Sequence, residues 1–343
     1  MQILENISLK PFNTFGIDTK ARYFSSCSDD EELAELMVHA EKLVAHNAAL
    51  GTFILGGGSN ILLTGDVNAF VVKNEIKGVE EIHEDSEYVY VKAGAGENWH
   101  AFVLHCLRHN WAGVENLSLI PGNVGASPMQ NIGAYGVELA DVFWCLDAYH
   151  LKEKKVVTFT LSDCKFGYRE SVFKNIYKDR FVILNVTFRL RKKPVFHTSY
   201  GAIQQELEKM KVKDLSIHAI SQAVINIRSS KLPDPVIVGN AGSFFKNPEI
   251  TGNKYESLKE KFPGIVAYSL AGGNYKLAAG WMIEQCGWKG FREGDAGVHP
   301  AQALVLVNYG KASGESIYEL SERILKSVDQ QFGVLLEREV NII

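Results

Sequence analysis

Thr52-Phe53-Ile54-Leu55-Gly56-Gly57-Gly58-Ser59-Asn60-Ile61-Leu62-Leu63 runs an apolar strand into three consecutive glycines and returns at once to apolar residues. The first four positions read as a short strand and the glycines as a tight turn, because glycine enters left-handed backbone without steric cost. Such a turn can converge successive N–H groups on a phosphate, although a plain turn has the same spelling. The residues beyond the turn exclude two common nucleotide folds: no Gly-Lys-Ser/Thr completes a P-loop, and the spaced glycines that open a Rossmann helix are missing. Any phosphate held here belongs to another fold.

Upstream, Ser28-Asp29-Asp30-Glu31 spells a capping box, and Leu33, Leu36, Met37, Ala40, Leu43 and Val44 recur at helical spacing. Downstream, Tyr88-Val89-Tyr90-Val91 alternates as a strand, and Asn98 caps a helix that buries Trp99, Phe102, Val103, Cys106 and Leu107 before Gly113. From Leu117 to Leu139 neither period holds. That stretch of about 20 residues is long for an unstructured loop inside a domain, and loops of that length usually carry function. Its Pro121-Gly122-Asn123-Val124-Gly125-Ala126-Ser127 and Gln130-Asn131-Ile132-Gly133 offer small residues and amides but few charges. A large neutral ring with a pyrophosphate held by backbone donors suits that surface, as does a ligand-free Ω-loop.

Strands return at Phe143–Tyr149, Val156–Phe159 and Phe181–Leu190, and Pro194 marks a domain boundary. The second half reads as a helix through Ile203, Leu207 and Met210, and an irregular segment from Arg228 to Pro248 follows it. Beyond lie helices over Lys276–Cys286 and Ser316–Phe332, with a buried strand between them at Ala303–Val307. Ser243-Phe244-Phe245-Lys246 matches the S-x-x-K of penicillin-recognising acyl transferases, but the companion Ser-Asp-Asn and Lys-Thr-Gly elements are absent. His105 and His109 stand at i, i+4 without the glutamate of H-E-x-x-H or a third ligand, so no metal site is expected.

Composition bounds the rest. A chain of 343 residues, 46% hydrophobic and 22% charged, is a folded protein of two or three domains. With 36 Lys plus Arg against 40 Asp plus Glu, the net charge of −4 leaves no basic excess for nucleic acid or an anionic membrane. Five scattered cysteines without C-x-x-C spacing fit neither a disulfide framework nor a zinc ribbon. No apolar run has membrane-spanning length and none forms an export signal, so a cytoplasmic, non-inserted protein is expected.

Six motifs in order carry a resemblance: Leu55–Asn60, Pro121–Ala126, Gln130–Gly136, Gly167-Tyr168-Arg169-Glu170-Ser171, Lys231-Leu232-Pro233-Asp234-Pro235 and Asn240–Pro248. Together they resemble the UDP-N-acetylenolpyruvoylglucosamine reductase (MurB) family, from Asn13-Thr14-Phe15-Gly16 to Glu339, in its longer form with an insertion carrying Tyr200. The resemblance implies an α+β fold. An FAD-binding domain of the vanillyl-alcohol-oxidase (PCMH) type, in two lobes over 17–193, would precede an α+β substrate-binding domain over 194–343. It implies an NADPH-dependent oxidoreductase of peptidoglycan precursor synthesis, with non-covalent FAD and UDP-N-acetylglucosamine enolpyruvate as substrate, acting as a monomer.

The residue roles are carried over from the same resemblance. Arg169 and Glu339 would flank the substrate carboxylate and Ser243 would deliver a proton after hydride arrives from flavin N5. Gly56, Gly57, Gly58, Ser59, Asn60, Pro121, Gly122, Gly125, Ser127, Gln130, Gly133 and Arg228 would contact FAD. Tyr168, Tyr200, Lys231 and Asn247 would hold the sugar nucleotide. Asn341 departs from the pattern, which commonly has an arginine there.

Overall fold

Phe181–Arg191 is the longest strand, and its residues make it central: valine, leucine and phenylalanine fill the positions that burial requires. It pairs antiparallel with Phe143–His150 and Tyr88–Gly94 in a five-stranded sheet completed by Lys155–Thr160 and Val79–Glu84. The Trp99–Arg108 helix packs here, placing Phe102 4.6 Å from Phe188 between ring centroids. A second sheet, ordered Leu4–Ser8, Lys20–Cys27, Val67–Asn74 and Gly51–Leu55, has its last pair parallel. The Asp30–His46 helix buries Leu33, Leu36, Met37 and Ala40 with Phe70 and Val72 of this sheet. Two separate cores thus make two α+β lobes, as expected.

The computed structural model describes residues 2–343. They form two compact units, one holding the chain up to Ile7, Ala21–Gly57 and Asn68–Ser230, the other Ser8–Lys20, Gly58–Val67 and Lys231–Ile343. The expected division after residue 193 is one by ligand; the division by packing falls after Ser230. The reason is a cluster in which Ile203, Ile220, Val224 and Ile227 pack with Tyr135 and Phe196. The second unit has a four-stranded antiparallel sheet ordered Gly239–Asn240, Leu306–Asn308, Ala296–Val298 and Arg292–Glu293. It also holds a three-stranded sheet centred on Tyr275–Leu277 and the Gly314–Phe332 helix.

Several elements differ from the sequence reading. The first helix is capped by Asp29, which accepts from Glu32 N at 2.8 Å, while Ser28 binds Glu32 with its own N–H and hydroxyl. The N-cap is therefore Asp29, one residue later than Ser28, and Glu32 reaches past the cap to Ser28 instead of closing a capping box. Asp29→Ala should lower stability by about 1 kcal/mol in denaturant unfolding. Lys276 lies in a strand, not a helix, because Tyr275–Leu277 is paired on both edges; the helix covers only Ala279–Gln285. The strand placed at Ala303–Val307 begins at Leu306. Helices at Ile217–Lys231 and Gly252–Lys261 were absent from the reading, and the first puts Arg228 on a helix rather than in a loop. No helix among the described residues is long and apolar enough to cross a membrane.

Candidate active site

In the first unit the two glycine segments meet. A Cβ on Gly57 would lie 2.8 Å from Gly122 Cα and 2.9 Å from Asn123 Oδ1, so only glycine allows this approach. Gly122 itself has φ +110°, outside the range of other residues. Lys73 Nζ donates to Gly56 O at 2.8 Å and fixes the turn from below, and burial holds its ammonium below the ordinary lysine range. Lys73 follows the buried run of residues 69–72 in its strand, which was the available sign of its role.

Not every expected donor faces a ligand. Val124 N donates to Glu97 O, Gly125 N to Ala95 O, Ala126 N to Asn123 O and Ser127 N to Val124 O. The Ser127 hydroxyl is also spent, on Val124 O at 2.6 Å. Gly125 is glycine because a Cβ there would come within 2.5 Å of Ala95 Cβ. Among the described residues, the N–H groups of Gly57, Gly122 and Asn123 form no hydrogen bond to the protein. All three lie where the loops touch, with Asn123 N 3.2 Å from a Cβ placed on Gly57, and unspent donors gathered there suit a dinucleotide's pyrophosphate.

Arg169 sits in left-handed backbone, φ +56°, in the turn closed by Gly167 and Glu170. Its guanidinium donates to Gly133 O at 2.8 Å and lies over the Tyr168 ring, 5.4 Å from the centroid. Asn131, 1% exposed, ties this turn to the glycine segment: Nδ2 donates to Glu138 Oε2 at 2.7 Å and Gly167 O at 3.1 Å, and Oδ1 accepts from Ala140 N. Arg228 Nε donates to Leu119 O at 3.1 Å. Burial pulls the Arg228 pKa down, the Tyr135 hydroxyl opposes that, and the Arg169 charge adds to it. Two guanidiniums thus face one region, and no carboxylate among the described residues pairs with Arg228. A half-buried guanidinium beside a second positive charge calls for an anion nearby. Tyr135, also in left-handed backbone, meets the Tyr200 ring edge-on at 5.5 Å.

In the second unit, Ser243 leads an extended segment rather than a helix. The hydroxyl and Lys246 are therefore not one helical turn apart, and Lys246 is 3.1 Å from Glu337. The acyl-serine arrangement is not built. Instead Gly242, φ +72°, is held by Asn240 Oδ1, and Phe244 O accepts from Glu339 N at 2.8 Å. This pairing, with the Phe245–Arg338 bridge, lays the segments that carry Ser243 and Glu339 side by side in one unit. Asn60 Nδ2 donates to Glu339 O, and Asn341 Nδ2 donates to Asn60 O at 3.0 Å, so Asn60 is bound to the C-terminal strand. Asn247 Oδ1 accepts from Ala279 N at the start of a helix, and Lys231 is exposed. The His105 and His109 rings meet tilted at 4.4 Å, His109 stacks on Trp111 at 4.6 Å, and no group of three metal-ligating side chains occurs among the described residues.

A model described as FAD binding domain matches residues 22–150, and one for the C-terminal domain of UDP-N-acetylenolpyruvoylglucosamine reductase matches residues 234–343. The UDP-N-acetylenolpyruvoylglucosamine reductase of Pseudomonas savastanoi pv. phaseolicola is 49% identical, covering 100% of this chain and 99% of that protein. Its counterpart in Amoebophilus asiaticus is 49% identical, covering 100% of both. The solved structure of the reductase from Thermus caldophilus is similar with a TM-score of 0.68 at 22% identity, covering 99% of this chain and 98% of that one, which speaks for the fold. With near-half identity along the entire length and both domain models in the expected order, the chain belongs to the UDP-N-acetylenolpyruvoylglucosamine reductase family.

Proposed function

We propose that the chain reduces UDP-N-acetylglucosamine enolpyruvate to UDP-N-acetylmuramate with NADPH, as a monomeric cytoplasmic enzyme of peptidoglycan precursor synthesis. The observation that carries the reading is half-buried Arg228, which feels the Arg169 charge and pairs with no described carboxylate, together with a backbone cradle at Gly57 and Gly122. The chemistry supplied by bound FAD is hydride transfer, from NADPH to the enolpyruvyl β-carbon. Residues 17–193 take the cofactor and 194–343 the sugar nucleotide. Within the first set, Gly57, Gly122 and Asn123 offer N–H groups, and Gly56, Gly58, Gly125, Ser127 and Gly133 shape the backbone. Arg228, from beyond that set, supplies charge. Pro121, Gln130, Ser59 and Asn60 border the same loops.

Negative charge collects on the substrate's α-carbon and carboxylate as the β-carbon gains its hydrogen. Arg169, fixed by Gly133 O, is a cation held in place before the reaction, so stabilising that charge needs no reorganisation. Glu339 helps beside a carboxylate only when protonated, as a hydrogen-bond donor. Ser243 gives its proton to the α-carbon. A serine hydroxyl is a weak acid, but a carbanion is basic enough to take its proton when cations steady the oxygen left behind.

Purified protein should be yellow, release FAD on denaturation and turn over NADPH beyond one equivalent per flavin only when the enolpyruvyl sugar nucleotide is present. A colourless protein that takes up no FAD would overturn the reading. Tyr168, Tyr200, Lys231 and Asn247 are assigned to the substrate. Lys231→Ala and Tyr200→Ala should each raise KM for the sugar nucleotide by about 10- to 100-fold, the worth of a charge-assisted contact, with flavin content unchanged. Steady-state kinetics at saturating NADPH checks it.

A further inference from the structure

Leu119 is a leucine in left-handed backbone, φ +58°, a conformation that a branched side chain adopts only when its surroundings hold it there. Both polar groups of the residue are held. Its N–H donates to His100 Nδ1 at 3.0 Å, and its carbonyl accepts from Arg228 Nε at 3.1 Å. Three residues further on, the chain is laid along the segment that precedes His100. Gly122 O accepts from Trp99 N at 2.9 Å, Val124 N donates to Glu97 O at 2.8 Å and Gly125 N donates to Ala95 O at 2.9 Å. Of the bonds that tie Leu119–Gly125 to Ala95–His100, the His100 one alone uses a side chain, and an imidazole can titrate.

We propose that His100 is a positioning residue for the cofactor loop: its neutral Nδ1 holds Leu119 in the left-handed turn that sets Gly122 and Asn123 against Gly57, and its protonation frees the loop and weakens FAD binding. The proposal rests on the reading that this loop holds FAD. An imidazole accepting at Nδ1 carries its proton at Nε2, whereas imidazolium donates from both nitrogens and would oppose the Leu119 N–H. The Arg228 guanidinium, from the Ile217–Lys231 helix, is the charge that acts on His100, with Tyr135 and Arg169 beyond it. Burial first, and then Arg228, push His100 below its ordinary value of 6.5. For a histidine lowered in this way the clamp is fully present above that ordinary value. It is lost as pH falls from there through the lowered value.

The test is FAD affinity of the full-length enzyme, read by flavin fluorescence from about pH 7.5 to about pH 5.5. Wild type should weaken several-fold on acidification. His100→Asn, whose amide oxygen accepts in place of Nδ1, should match wild type at the upper pH and lose the dependence. His100→Leu should bind about 3- to 10-fold more weakly at the upper pH, the worth of one hydrogen bond, without a pH trend. An asparagine variant that keeps the wild-type pH trend overturns the proposal, as does a folded leucine variant with wild-type affinity. Wild type that takes up no FAD at any pH overturns the reading of the site, and this proposal with it.

Discussion

Ser243→Ala is expected to bleach with NADPH at close to the wild-type rate and then to stall as reduced enzyme, its second half-reaction slowed by about 10²- to 10⁴-fold. The first half-reaction places a hydride on the cofactor and needs no acid at the substrate α-carbon. The second needs a proton as charge collects there, and the hydroxyl is its proposed source. Local structure makes the substitution clean, because the Gly242 turn is set by Asn240 Oδ1 and the next residue by backbone bonds of Phe244 to Leu304 and Glu339. Alanine leaves all of these in place. Stopped-flow absorbance of the two half-reactions decides the matter: a variant slowed only with NADPH, or in neither step, removes Ser243 as proton donor.

Gly57→Val should abolish FAD binding in a protein that still folds. The contact it would break is with Gly122 Cα at 2.8 Å, backbone that cannot swing aside, so the two loops must part and their N–H groups no longer converge. Gly125→Val makes an instructive partner. Its Cβ would press on Ala95 at 2.5 Å inside the fold, where overpacking costs about 1–3 kcal/mol, so it should lose melting temperature as well as colour. Absorbance stoichiometry with far-UV circular dichroism separates the two, and stoichiometric FAD in a folded Gly57→Val protein would move the cofactor elsewhere.

Local signals explain what the sequence disclosed. Asn98 caps its helix and the five predicted apolar residues are its buried face, because a cap and a 3.6-residue period are short-range facts. The run Tyr275–Leu277 misled because its pairing partners, Glu249–Ile250 and Ala267–Ser269, lie outside any local window. The Gly252–Lys261 helix was silent since Leu258 is its one buried residue, leaving no stripe to detect. In the site, motif order pointed to Arg169, Ser243 and Gly57. His100, Lys73 and Asn131 act through backbone groups far along the chain, and no spacing announces that. The protein partners of Asn60 and Ser127, the Glu339 carbonyl for the Asn60 amide and the Val124 carbonyl for the serine hydroxyl, are equally unannounced by spacing.

The second unit draws in Ser8–Lys20 and Gly58–Val67, segments made long before the strands they join. Asn308 Nδ2 donates to Phe15 O across 293 residues, and Asn341 to Asn60 O across 281. A ribosome adding about 5–20 residues per second keeps Phe15 waiting for roughly 15–60 s. Throughout that interval the nascent chain carries Phe15, Ile17, Leu62 and Leu63, all buried in the finished protein, with nothing of their own unit to cover them. Completion of this unit therefore waits for the strand at Asn341–Ile342, and a chain halted before it is a substrate for chaperones or proteases rather than a smaller working protein.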